Sequence, residues 1–241
     1  MILDRVTITG ADESVDPAEL VRISKLYSFV EWGILFSGSR VGCPRYPDAA
    51  WLRRLADCAE GQPIKLAAHL CGRWVRDFVL DARFTWKEQH LDIYDLFPRV
   101  QLNFHGEFHR AHRGFANALL DEAPRKAGHG APEDRPGKEF ILQCDGVNDA
   151  AAEELVPWTN AVPLFDASGG AGIVPKRWPD AWAGVYCGYA GGLGPENLIE
   201  ELARIEKAAG QERVWIDMER RVRSDDDATF MLSKVSRVLE L

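Results

Sequence analysis

Short apolar stretches recur along the chain at roughly even spacing, each closed by glycine or a polar residue. Eight of them read as strands: "RVTITG" (5–10), "FVEWGILFS" (29–37), "IKLAAHLCG" (64–72), "RVQLNFHG" (99–106), "EFILQCDG" (139–146), "AVPLFDASGG" (161–170), "AGVYCGYAGG" (183–192) and "RVWIDMER" (213–220). Helical patterns lie between them. After the first strand, Asp16 stands as N-cap, Pro17 at the first helical position and Glu19 as the partner of a capping box. The segment "PDAAWLRRLADCAEG" (47–61) is apolar at Leu52, Leu55 and Ala59, and 73–97 holds a helix with extra material. "FANALLDEAP" (115–124) and "NDAAAEELV" (148–156) are helical. The Gly/Pro-rich "GHGAPEDRPG" (128–137) reads as loop. Pro195 and Gly210 bracket a helix with a stripe at Leu198, Leu202 and Ile205, and Ser224 with three following aspartates reads as the cap of the last helix.

Near-continuous apolar strands alternating with amphipathic helices imply parallel strands covered by helices. Eight such units in one chain of this length predict a single-domain (β/α)8 TIM barrel over 1–241. A doubly wound open sheet is the rival arrangement.

Composition narrows the function classes. The formal net charge is −8 with both signs interspersed, which argues against nucleic acid and an anionic membrane surface as partners. No apolar run is long enough to span a bilayer, and "MILDRVTITG" lacks the regions of a secretory signal. Five scattered cysteines without a CxxC pair read as reduced thiols, so a cytoplasmic location is expected.

In a barrel, reactive side chains sit where strands end. The strand ends here carry Thr9, His69 with Cys71, His105 with Glu107, Cys144 with Asp145, Asp166 with Ser168, and Asp217 with Glu219. Each carboxylate has an ordinary alternative role as the cap of the next turn, and each histidine as a hydrogen-bonded strand-end residue. Two Gly-rich turns follow strands six and seven, "SGGAG" (168–172) and "AGGLGPEN" (190–197). Glycine lets backbone N–H groups approach an anion closely, so Gly169, Gly170, Gly172, Gly191 and Gly192 are candidate phosphate contacts.

In order and spacing, "VPLFDASGGAG", "CGYAGGLGPEN" and "VWIDMERRV" resemble the last three strand–loop units of phosphoribosylanthranilate isomerase, a barrel enzyme. "VQLNFHGE" and "PRYPDAAWLRRL" are similar to its fourth-strand and second-loop segments. The resemblance implies a ribulose-phosphate-binding barrel and places Asp166 at the family's general acid. It places Thr9 where the family has its general-base cysteine, and a hydroxyl does not take up a carbon-bound proton unaided. The family's reaction is therefore not expected. The expected activity is an isomerase- or lyase-type reaction on a phosphorylated sugar or similar small anion. In it Asp166 is the acid, His69 or His105 replaces the base, and Arg45, Asp217 and Arg220 join the glycines in binding. No cofactor is expected. Two alternatives stand beside this reading: a divalent metal held by His69, His105, Asp145 and Asp166, and a non-catalytic anion-binding barrel. The number of associating chains is left open.

Overall fold

Alternation along the strands decides the architecture. The computed structural model describes residues 1–104, 113–123 and 137–241. Its eight strands are β1 (Ile2–Thr9), β2 (Val30–Ser37), β3 (Lys65–Cys71), β4 (Arg99–Leu102), β5 (Glu139–Cys144), β6 (Ala161–Phe165), β7 (Cys187–Ala190) and β8 (Arg213–Met218). Every neighbouring pair is parallel, and β8 pairs with β1, so the sheet closes into a (β/α)8 barrel. The helices are α1 (Pro17–Leu26), α2 (Ala49–Ala59), α3 (Arg73–Asp81), α4 (Thr85–Gln89), α5 (Phe115–Asp121), α6 (Asp149–Leu155), α7 (Leu198–Ala209) and α8 (Leu232–Leu239).

One set of alternating strand residues, among them Ile8, Trp32, Phe36, Leu70, Val100 and Phe140, packs outward into the main hydrophobic core with the helices. Inside the barrel a second, small apolar cluster of Ile141, Leu164, Ala190 and Trp215 stands apart. Much of the rest of the interior is polar. Glu31, with no exposed surface, accepts from Thr7 Oγ1 at 3.0 Å, from Arg99 at 2.7 Å and from Arg5 at 2.5 Å. Arg99 also donates to Glu139 at 2.6 Å, and its guanidinium lies 4.3 Å from the Trp215 ring centroid. This ion cluster joins β1, β2, β4 and β5 across the barrel floor.

Helix starts follow local chemistry. Asp16 accepts from the Ala18 amide at 3.0 Å and Asp48 from the Trp51 amide at 2.8 Å, each relieving an N–H that the helix leaves unpaired. Three expectations are corrected. Glu19 does not reach back to complete a capping box; its carboxylate takes the Arg22 guanidinium one turn on, at 2.8 Å. No helix follows β6, where residues 166–186 run as loop because proline and glycine interrupt every candidate turn. Ser224 does not cap α8 and the aspartates after it do not stand at its start, because the helix begins five residues beyond Asp227 with Met231 at its N-cap. They form a tight turn closed by an Arg223–Phe230 bridge, in which Asp227 has φ 62°.

Removing one member of a buried ion pair leaves an uncompensated charge, which typically costs about 3–5 kcal/mol. Glu31→Gln is expected to destabilise the fold by an amount in that range, read from urea denaturation midpoints at pH 7.

Candidate active site

A cleft of about 630 Å³ opens at the C-terminal ends of the strands. His69, Gln101, Gln143 and Asp217 line its depth, the Gly-rich turns line one wall, and Arg45, Arg220 and Arg221 line its rim. Of the residues singled out from the sequence, Asp166, His69, Arg45, Gly169, Gly170, Gly172, Gly191, Gly192, Asp217 and Arg220 all border this one cleft. Thr9 lies buried beneath it, bonded to Asp217, and His105 lies outside the described residues.

Thr9 and Asp217 come from the two strands that close the barrel. The Thr9 hydroxyl donates to Asp217 Oδ1 at 2.8 Å. Burial, with further pressure from the Glu219, Glu31 and Asp166 carboxylates, pushes the Asp217 carboxyl up to about 8 despite that hydrogen bond. At neutral pH Asp217 is a neutral acid. Burial acts the other way on His69, lowering its imidazole to about 3, so the ring is uncharged as well. Room for both side chains comes from Gly33 on the strand between them. A methyl group there would lie 2.2 Å from Thr9 Oγ1 and 2.8 Å from His69 Nε2.

Asp166 is the hub of the loop after β6. Its Oδ1 accepts from Ser168 Oγ at 2.7 Å and the Ser168 amide at 3.2 Å. Its Oδ2 accepts from the Gly170 amide at 2.6 Å and Gln143 Nε2 at 2.8 Å. Four donors converge on this carboxylate, which shapes the turn as a cap does. The amides of Gly169, Ala171 and Gly172 are also used within the turn.

The loop after β7 is different. Among the described residues, the backbone N–H groups of Gly191, Gly192 and Leu193 make no hydrogen bond, although all three residues are buried and line the cleft. Buried N–H groups without an acceptor are uncommon and costly. Glycine is required here by contact: a Cβ on Gly192, at φ 63°, would fall 2.8 Å from Gly172 O and from Val174 N. The two Gly-rich loops thus pack backbone against backbone.

At the rim, Arg45 donates to Glu219 and to Asp227, both at 2.6 Å, while its amide donates to Asp12 at 2.7 Å. The buried Arg223 holds the same group together, donating to Asp12 at 2.7 Å, to Asp227 Oδ1 at 3.0 Å and to Gly10 O. The Arg45 charge is therefore already matched by carboxylates of this chain, and so is that of Glu219. Among the described residues, Arg220 and Arg221 have no carboxylate partner; Arg220 reaches only Ala171 O, at 3.4 Å. Arg221 packs its stem over Gly194, where a Cβ would lie 2.4 Å from Arg221 Cβ.

Sequence reasoning did not single out Gln101 and Gln143. Their signal was polarity at every second position of a strand, as in Arg99, Gln101 and Asn103. Asp145 turns its carboxylate to the amides of Val147 and Asn148, at 3.0 and 2.9 Å. Among the described residues no three His, Cys, Asp or Glu side chains are grouped to hold a metal. No helix among them is long and apolar enough to cross a membrane.

The Asp217 shift has a pH signature. In the folded protein the carboxyl keeps its proton up to about pH 8, whereas the unfolded chain loses it near 4. The unfolded state thus binds fewer protons in that window, and this group's contribution to stability falls as pH rises from about 4 to about 8. Asp217→Asn cannot ionise and keeps the acceptor for Thr9. Its melting temperature relative to wild type is expected to rise steadily between pH 5 and pH 8 in scanning calorimetry.

No family model and no curated protein sequence matches the chain. Among solved structures it is similar to a truncated form of 3-deoxy-D-arabino-heptulosonate 7-phosphate synthase from Thermotoga maritima. The TM-score is 0.52 at 9% identity, over 99% of this chain and 84% of that one. At that identity the likeness is one of fold: the chain shares the TIM-barrel architecture of a synthase whose name carries a sugar phosphate.

Proposed function

We propose that this barrel binds a small phosphorylated ligand at its mouth and moves a proton on it with Asp217. The observation that carries the reading is the set of buried, unbonded amides of Gly191, Gly192 and Leu193, flanked by Arg220 and Arg221, above a buried neutral acid. Backbone N–H groups without an acceptor, in a cleft also lined by arginines that have no carboxylate partner among the described residues, favour an anion, and late βα loops are where phosphates commonly sit in barrels. The sugar phosphate in the name of the Thermotoga maritima enzyme agrees with this class of ligand.

The finer reading remains a barrel of the phosphoribosylanthranilate isomerase type with a different reaction, isomerase- or lyase-like. Thr9, at the family's base position, donates its hydrogen to Asp217 and has no base of its own to activate it. Asp166 has four donors aimed at it and shapes the loop, which suits a positioning role. His69, held neutral down to about pH 3, is a weak base. Asp217 is the group matched to the task. Protonated at neutral pH, it can give its proton to a carbonyl or ring oxygen of the ligand, and the Thr9 hydroxyl then stabilises the carboxylate left behind. A non-catalytic binding barrel is the second reading, favoured by the saturation of Asp166.

Three outcomes are expected. Inorganic phosphate titrated into the protein by calorimetry binds, and Arg220→Ala weakens that binding by about 1.5 kcal/mol, the low end for a hydrogen bond to a charged group because the side chain is exposed. A strain lacking phosphoribosylanthranilate isomerase is not rescued for growth without tryptophan. Asp217→Asn lowers turnover of a phosphorylated sugar by about 10²-fold or more while phosphate affinity is kept, whereas a purely binding barrel shows no turnover for either form.

A further inference from the structure

We propose that a second pocket, beside the cleft, binds an uncharged aromatic ring bearing a hydroxyl group, of the phenol or naphthol class, through His90 and Trp74. The pocket measures about 350 Å³, and Phe36, Leu52, Trp74 and Ile93, all buried, form apolar walls. Leu35, Ser37 and Tyr46 border both this pocket and the cleft, so the two are neighbours. A pocket of this size, with apolar and aromatic walls and few polar groups, has the make-up of a small-molecule site. The inference uses neither the anion reading nor Asp217.

Two polar atoms belong to residues that line the pocket. His90 Nδ1 lies 2.9 Å from the Trp86 carbonyl oxygen, which only accepts, so Nδ1 carries the hydrogen. In the uncharged imidazole Nε2 is then an acceptor. It makes no hydrogen bond among the described residues and keeps accessible surface. Aromatic neighbours hold the ring in place. It stacks on Trp86 at 5.5 Å between centroids and meets Phe36 and Trp74 edge-to-face at 5.3 and 5.6 Å. Trp74 Nε1, which only donates, is likewise unbonded among the described residues and keeps accessible surface. An acceptor and a donor on adjacent rings match a hydroxyl group, which both donates and accepts.

The charges around the pocket set no preference for an ion. Arg53, Arg73 and Asp92 border it and are exposed, two cations and one carboxylate in water, where such charges are screened. Arg73 is further engaged over the Trp74 ring, 4.7 Å from its centroid. Aromatic walls gain offset or edge-to-face contact from a flat ring, which an aliphatic alcohol does not supply.

The test is calorimetric titration of the full chain with 2-naphthol and with its methyl ether, which keeps the rings and the oxygen but has no donor. It is run on wild type, His90→Phe and Gly38→Leu, with melting curves confirming that each variant is folded. Phenylalanine keeps a ring at position 90 and removes the acceptor. Gly38 borders the pocket, and a Cβ there would lie 3.7 Å from the Trp74 ring, an ordinary contact, so leucine adds bulk over that ring without a backbone clash. Wild type is expected to bind 2-naphthol at least about fivefold more tightly than the ether, the worth of one ordinary hydrogen bond. His90→Phe is expected to bring the two within about twofold, and Gly38→Leu to weaken 2-naphthol by about tenfold or more. Equal affinity of wild type for the two probes, no binding of 2-naphthol, a preference that survives in His90→Phe, or undiminished binding by Gly38→Leu overturns the inference. Displacement of 2-naphthol by inorganic phosphate also overturns it, because the pocket would then be an arm of the cleft. A measurement on wild type alone reads the same contact: the ¹⁵N resonance of His90 Nε2 is expected to move with 2-naphthol and not with the ether. An unmoved Nε2 at saturation contradicts the proposal.

Discussion

Glu31 and Asp217 are both buried carboxyls inside one barrel, and the presence or absence of a neighbouring cation sends them in opposite directions. Burial alone would raise the Glu31 carboxyl; Arg99 and Arg5 outweigh it and hold the group below its ordinary value, as an anion. Asp217 has no such cation. Its burial is reinforced by other carboxylates, and the group is pushed up to about 8. The ion cluster at the floor therefore does two things. It fixes four strands to one another, and it keeps the available positive charge away from the layer above, where Asp217 and His69 stay neutral. The absence of a side chain on Gly33 gives that layer its space.

The rim repeats the division on a larger scale. Arg223 and Arg45 are spent on Asp12, Asp227 and Glu219, binding the loops after β1, β2 and β8 into one ion-paired unit. Among the described residues, Arg220 and Arg221 are left without carboxylates beside unbonded amides of the β7 loop. Structural and ligand-seeking charge are thus segregated along a few consecutive residues, 219–223. The β6 turn uses its amides on Asp166 and on itself, while in the neighbouring β7 turn those of Gly191, Gly192 and Leu193 make no hydrogen bond among the described residues. Two glycine clusters that look alike in composition thus differ in how many of their amides are already bonded.

Much of the barrel was readable from the sequence. The eight strands follow from apolar stretches bounded by glycine, and the caps at Asp16 and the stop at Gly210 follow from local chemistry. Local rules failed where a partner lies far away in the chain. The Thr9–Asp217 bond spans 208 residues, and the Arg45–Asp227 bond 182. Nothing near Thr9 marks it as the donor to a protonated acid, and nothing near Asp227 marks it as other than a helix cap. The missing helix after β6 reflects the same limit, since the Asp166 turn and backbone packing against Gly192 organise that segment in place of periodicity. Treating strands buried on both faces as uniformly apolar hides the inward glutamines, whereas alternation of polar residues at Arg99, Gln101 and Asn103 marks a polar barrel interior.

The central claim is that the amides of Gly191, Gly192 and Leu193 hold the anion. A two-dimensional ¹⁵N–¹H titration of the labelled protein with inorganic phosphate tests it directly, because an amide proton that gains a charged acceptor moves downfield. The account predicts saturable downfield shifts of these three amides, larger than those of Gly169 and Gly170, whose N–H groups are already bonded. Phosphate-dependent shifts confined to other parts of the chain, with these three amides unmoved, would contradict it.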